Sequence, residues 1–188
     1  MKKFLPLFLV FSFQLLVFNS LSAQDFDFSK KVGGNTLYFF ITSTGGKNGP
    51  TVEVTYPGVL EEAPWKGFRK PSGQLTIPET VTPNRSKNPD DDDTTVYRVT
   101  SIRYNAFMGC SRIKKLILPP SLESVGESAF SGCTRIGSIV TQTVVPPRLS
   151  ESSFHGVDLE IPVHVLAGTL QNYQQAVGWR QFVQLTEF

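Results

Sequence analysis

The sequence predicts a mainly β chain with short helical elements, arranged as a short solenoid. A β-hairpin caps its N-terminal end and a helix-strand unit caps its C-terminal end. Three observations lead there. First, the stretch 99–140 is written twice at a constant step of 23 residues: Ile102 falls on Val125, Ala106-Phe107 on Ala129-Phe130, Gly109-Cys110 on Gly132-Cys133, Ile113 on Ile136 and Leu116 on Ile139. A period of this length marks units that bury their apolar faces only against one another. Second, two β-rich runs joined by a Gly/Pro-rich turn stand ahead of it. Third, an apolar pattern at helical spacing, stopped by a glycine, follows it.

In chain order, Lys2-Lys3, the apolar run Phe4 to Phe18 and Asn19-Ser-Leu-Ser-Ala23 describe a secretory signal peptide over 1–23,. Cleavage after Ala23 makes Gln24 the first mature residue. No cysteine lies near the cut, so no lipid anchor is expected there, and no later stretch is long and apolar enough for a membrane span. Cleavage removes two of the 18 basic residues and no acid, leaving 16 basic against 16 acidic. That balance argues against nucleic acid or an anionic membrane as the main partner. The remaining 165 of 188 residues suffice for one modest core,.

Residues 24–74 read as the N-terminal cap. Asp25 to Lys31 is an acidic-aromatic entry segment. Asn35 to Ser43 is dense in β-favouring residues and apolar on both faces, so it is expected to be the more buried strand,. The turn Thr44-Gly-Gly-Lys-Asn-Gly-Pro50 leads into Thr51 to Tyr56, where Val52, Val54 and Tyr56 alternate with polar residues as in a hairpin,. Pro57 to Gly73 is loop-like.

The repeats are placed at 75–162. Leu75-Thr-Ile-Pro-Glu-Thr-Val81 reappears in altered form as Leu116-Ile-Leu-Pro-Pro-Ser-Leu122, with an insertion at 82–95 that includes the acidic run Asp90 to Asp93. The run has none of the spacing of a calcium loop and reads as a solvated charge run. Leu159-Glu-Ile161-Pro162 looks like the strand again, in a turn that counts as shortened. Residues 163–188 form the closing cap: Leu166, Leu170, Tyr173 and Val177 at helical spacing, Gly178 as a stop, then Trp179 and a last strand near Phe182 to Leu185,.

Within one turn the inward set is expected to be Ile113, Leu116, Leu118, Leu122, Val125, Ala129, Phe130 and Cys133. The only cysteines, Cys110 and Cys133, hold the same repeat position. On a parallel ladder they are expected to be buried free thiols, because parallel side-chain directions make the disulfide torsion awkward.

The pattern Val-Thr-Ser-Ile-x-x-x-Ala-Phe-x-Gly-Cys-x-x-Ile-x-x-Leu-x-Leu-Pro at 99–119, repeated with substitutions at 122–142, resembles the leucine-rich repeats of the bacterial surface antigen A (BspA, or Treponema pallidum-type) family of Bacteroides-like anaerobes. The resemblance implies a leucine-rich-repeat solenoid that is exported to the cell surface or secreted. It implies binding rather than enzymatic activity, with no cofactor and no catalytic residue to carry over. Adhesion, co-aggregation or recognition of a host extracellular or bacterial surface protein is the expected role.

The residues themselves add little chemistry. No nucleophile elbow, His-Glu-x-x-His or phosphate-cradling Gly-rich loop is present,. His155 and His164 stand without further ligands, so no metal site is expected. Binding is therefore sought on exposed strand positions: Gln74 and Thr76, Lys115 and Ile117, Ser138 and Val140, a mostly neutral strip suited to a protein partner. The alternative is a glycan-binding or accessory role in a polysaccharide-handling system. It would act through loop aromatics such as Tyr56, Phe68 and, above all, Trp65, where an exposed ring stacks on a sugar and a buried one seals the cap.

Overall fold

In the computed structural model, residues 26–59, 63–83 and 94–188 are described. The proposed signal peptide and the Asp90–Asp93 run lie outside them. The chain forms two sheets around one core. The first begins as an antiparallel meander of β1 (Phe28–Val32), β2 (Asn35–Thr44) and β3 (Pro50–Thr55). It continues in parallel through β6 (Tyr97–Ile102), β8 (Ser124–Val125) and β10 (Arg148–Leu149), with β5 (Thr80–Val81) paired to β6. The second sheet is parallel throughout. Its order is β12 (Gln184–Glu187), β11 (Pro162–Val165), β9 (Ser138–Thr141), β7 (Arg112–Leu118), β4 (Ser72–Thr76).

Each repeat is one lap between the sheets, so the ladder registers are the repeat made visible. Leu75, Leu116, Ile139, Val163 and Leu185 stand in one row of the second sheet. Val54, Ile102, Val125 and Leu149 stand in one row of the first. The bends between them stack as well: Asn105, Phe107 and Gly109 donate their N–H groups to Glu127, Ala129 and Ser131 of the next turn. Gly109, Gly132 and Gly156 occupy the same place in successive bends with φ of 68°, 72° and 77°. That left-handed conformation costs glycine nothing, which accounts for its return in each copy.

The expected inward set is buried throughout. Phe107, Phe130 and Phe154 stack at 5.2 and 5.1 Å with interplanar angles of 11° and 7°. Trp65 continues this spine at one end, stacked on Phe107 at 6.3 Å, and Trp179 closes the other, 6.0 Å from Phe154. Each indole spends its N–H on a backbone carbonyl, Trp65 on Ala106 and Trp179 on Pro147. Both ends of the solenoid are thus sealed by a ring with a satisfied polar edge.

The structure departs from expectation in three places. The hairpin gains a third strand, β1, from the supposed entry segment. The more buried strand is β3, not β2: Thr51, Val52, Val54 and Thr55 are buried, while β2 beyond Phe39 is half-buried or exposed, with Phe40 facing solvent. The third turn is not shortened: its strand starts at Pro162, one residue beyond Ile161, and Val163 stands 24 residues after Ile139. The extra residue falls between Ile139 and Leu149, since Val125 and Leu149 are also 24 apart while Leu116 and Ile139 are 23 apart.

One edge of the second sheet is covered by a side chain. Asn35 covers the outer edge of β4, its amide donating to the carbonyls of Ser72 and Gln74 at 3.2 and 2.9 Å and accepting from the Ser72 N–H at 3.0 Å. An open strand edge is a template for unwanted pairing. In the C-terminal cap the helix is a short one, α1 (Leu170–Gln175). Glu187 on β12 accepts the N–H groups of Gly168 and Leu170 ahead of it, meeting donors that a helix start leaves open,.

Candidate functional site

Six of the seven residues chosen from sequence come together on the solvent face of the second sheet. Gln74, Lys115 and Ser138 are register partners, and so are Thr76, Ile117 and Val140. Between these two rows Leu75, Leu116 and Ile139 point into the core at 0% exposure, so the period-two alternation turns both rows outward,. Gln74 is exposed and the other five are half-buried, as neighbours on one sheet face shield each other. The Gln74 amide donates to the Thr76 hydroxyl at 3.3 Å. The face is nearly neutral and aliphatic at its centre.

The row also extends past the residues singled out. Val140 pairs with His164 and His164 with Thr186, the imidazole Nδ1 lying 3.0 Å from the Thr186 hydroxyl. His164 reads in sequence as an ordinary strand-end residue. It becomes part of this row only once the strand is moved to Pro162–Val165.

Trp65 is not part of this face. Its indole is 3% exposed in the aromatic spine, so it offers no ring to a ligand. The other loop aromatics named with it are also withdrawn: Tyr56 is buried and Phe68 packs against Tyr38.

Cys110 and Cys133 are free and fully buried. Burial pushes both thiols up, Cys133 to about 12, and the Cys133 Sγ–H donates to the Phe107 carbonyl at 3.2 Å. Protonated thiols in this setting are poor nucleophiles and poor metal ligands, and they act as core filler. Among the described residues, no three His, Cys, Asp or Glu side chains converge on a point, and no helix is long and apolar enough to cross a membrane.

The repeat geometry has a counterpart among known families. The BspA type leucine rich repeat region matches residues 94–163, in six copies. These repeats are of the BspA type. No curated protein matches the chain. Among solved structures it is similar to a leucine-rich repeat protein from Bacteroides capillosus ATCC 29799, at 16% identity and a TM-score of 0.48, covering 86% of this chain and 99% of that one. It is also similar to a leucine rich cell surface protein from Faecalibacterium prausnitzii A2-165, at 13% identity and TM-score 0.47, covering 87% of this chain and 44% of that one. A leucine-rich repeat protein from Bacteroides ovatus ATCC 8483 shares 19% identity at TM-score 0.41, over 81% of this chain and 39% of that one. The chain spans less than half the length of the latter two. Leucine-rich repeat regions are in general protein-interaction modules.

In the BspA-type repeats, the loop after β9 holds a feature that sequence reading missed. Val144 and Val145 are 64% and 75% exposed and border a groove of about 570 Å³ with Pro146, Arg98, Glu123 and Arg148. Arg98 and Glu123 pair across it at 3.3 Å. One repeat earlier the corresponding places hold Ser121 and Leu122, both buried, with the Ser121 hydroxyl bonded to the carbonyls of Glu79 and Val99. The extra residue of this turn breaks that correspondence and puts two valines into solvent. The signal in the sequence was the change of step from 23 to 24.

Proposed function

We propose that this chain is an exported leucine-rich repeat binding protein that mediates protein-protein recognition or adhesion at the bacterial surface or the host interface. It acts by binding and not by catalysis. The observation that carries the reading is the solvent face of the second sheet, where Gln74, Lys115 and Ser138 and then Thr76, Ile117, Val140, His164 and Thr186 stand in register. A ladder with aliphatic residues at its centre and polar residues around them has the core-and-rim composition of a protein interface. Ile117 and Val140 are the central contacts. Val144 and Val145, three and four residues past the end of β9, add a second exposed apolar patch,. Export rests on the leader-like residues 1–23, and the partner class is a host extracellular or bacterial surface protein.

Surface plasmon resonance of the chain against purified fibronectin, fibrinogen, laminin and collagen tests the reading. Saturable binding to at least one, reduced by Val144→Asp with Val145→Asp or by Ile117→Glu, is the expected result. Absence of binding to all four, or binding indifferent to both sets of changes, would count against it.

A further inference from the structure

We propose that the solvent face of the first sheet, where the meander meets the first repeat, carries a saccharide-binding site formed by Phe40, Glu53, Arg103 and Tyr104. It lies on the other sheet from the protein-recognition face and does not depend on it.

The backbone register assembles the site. Phe40 pairs with Glu53, Glu53 with Ser101 and Ser101 with Ser124, so four strands contribute one row. Their inward neighbours Phe39, Val54, Ile102 and Val125 are buried at 0–2% exposure, which turns this row outward. Arg103 and Tyr104 follow β6 directly, and the Arg103 N–H donates to the Val54 carbonyl at 2.8 Å. The guanidinium lies 5.1 Å from the centroid of the Phe40 ring and 5.2 Å from that of Tyr104. Its Nε is 3.5 Å from the Glu53 carboxylate.

Both rings keep open surface, 36% for Phe40 and 38% for Tyr104. Tyr104 is held from behind by buried Tyr56, edge-on at 6.1 Å with the two hydroxyls 3.4 Å apart. An open cleft of about 410 Å³ lies against Tyr104, lined also by Glu53, Arg103, Ser101, Ser124 and Gly126, and Phe40 stands beside it against the Arg103 guanidinium. A side chain at Gly126 would meet the Tyr104 backbone, since a Cβ there falls 2.5 Å from the Tyr104 nitrogen.

The fold does not need these groups. Gly126 and Glu127 take the places of Arg103 and Tyr104 one turn on, and Ser150 and Glu151 take them in the turn after that. Those bends close with the same hydrogen bonds and no ring or guanidinium. The aromatic-cationic pair is confined to the turn where the meander supplies Phe40 and Glu53.

The chemistry selects the ligand class. A pyranose presents a C–H face to stack on an exposed ring and a rim of hydroxyls that both donate and accept. Glu53 accepts and Arg103 donates side by side, with the Ser101 and Ser124 hydroxyls in the same cleft,. A phosphate or carboxylate would face the Glu53 carboxylate. An aliphatic side chain would desolvate the charged pair and return no hydrogen bonds. A neutral, hydroxyl-rich ring satisfies every group present.

Saturation-transfer NMR of the whole chain with the methyl glycosides of glucose, galactose, mannose and N-acetylglucosamine at millimolar concentration is the test. The expected result is transfer from the protein to the ring C–H protons of at least one glycoside. Tyr104→Ala should weaken that binding about tenfold, Tyr104→Phe should retain it, and Lys115→Glu on the other sheet should leave it unchanged. No transfer to any of the four, or equal transfer in Tyr104→Ala, overturns the proposal. So does loss of matrix-protein binding in Tyr104→Ala without any glycoside effect, which would assign the patch to a protein.

Discussion

Between the two tryptophans, Phe107, Phe130 and Phe154 repeat with near-identical geometry, while a few residues away the outer side of the same turns carries Arg103-Tyr104, then Gly126-Glu127, then Ser150-Glu151. The inner positions agree because each ring packs on the rings above and below, so a change in one turn strains its neighbours. The outer positions face water, where most substitutions cost little. Stability and recognition are therefore carried by different residues of each lap. The comparison teaches that in this solenoid recognition is to be sought where the copies diverge.

The sharpest way to break that contrast is to truncate one residue of each kind. Phe130→Ala should destabilise the chain by about 3–5 kcal/mol, whereas Tyr104→Ala should stay within about 0.5 kcal/mol of wild type, both read from urea unfolding. Equal losses would mean that the outer residues also hold the fold. Asn35→Ala removes the amide covering the β4 edge and its hydrogen bonds to the part-buried backbone groups of Ser72 and Gln74, for about 1 kcal/mol,. Its melting temperature should fall between those of the other two variants.

A smaller effect comes from the cysteines. Burial holds both thiols protonated well above the ordinary value of 9.0, Cys133 up to about 12. The unfolded chain gives up these protons from about pH 9 and the native state does not. Stability is thus unaffected below pH 9 and falls as pH rises towards 12. Unfolding midpoints measured across that range should drop, and Cys110→Ala with Cys133→Ala should flatten the slope. A slope unchanged in the double variant would place its origin elsewhere. At pH 8 the native thiols should resist a thiol reagent that labels both after denaturation.

Much of the fold was legible because a repeat encodes itself. Ile102 over Val125 and Leu116 over Ile139 are sequence alignments that became ladder registers. The helix-strand cap was legible from Leu170 and Tyr173 before Gly178, but Leu166 and Val177, read on the same helix, lie outside α1, with Val177 exposed. The main misreading was one of position along the chain. Taking Leu159 to Ile161 for the strand set it four residues too early, so His164, and Thr186 paired with it, fell beyond the row that was considered. The sheet face could be chosen from alternation alone, and its residues do stand together. Trp65 could not be placed that way: whether a loop ring faces solvent depends on a neighbour distant in sequence, here Phe107 and the Ala106 carbonyl. Phe40, Glu53, Arg103 and Tyr104 were invisible as a group for the same reason. They come from two strands and a bend that only the parallel pairing of β3 with β6 brings together.

The second sheet's outer face is the proposed place of protein recognition, and Ile117 stands in its aliphatic middle beside Val140. Surface plasmon resonance should compare Ile117→Glu with wild type, on a matrix protein the wild type binds and at matched melting temperature. A loss of about tenfold or more in affinity is predicted. Undiminished affinity in the folded variant would contradict it.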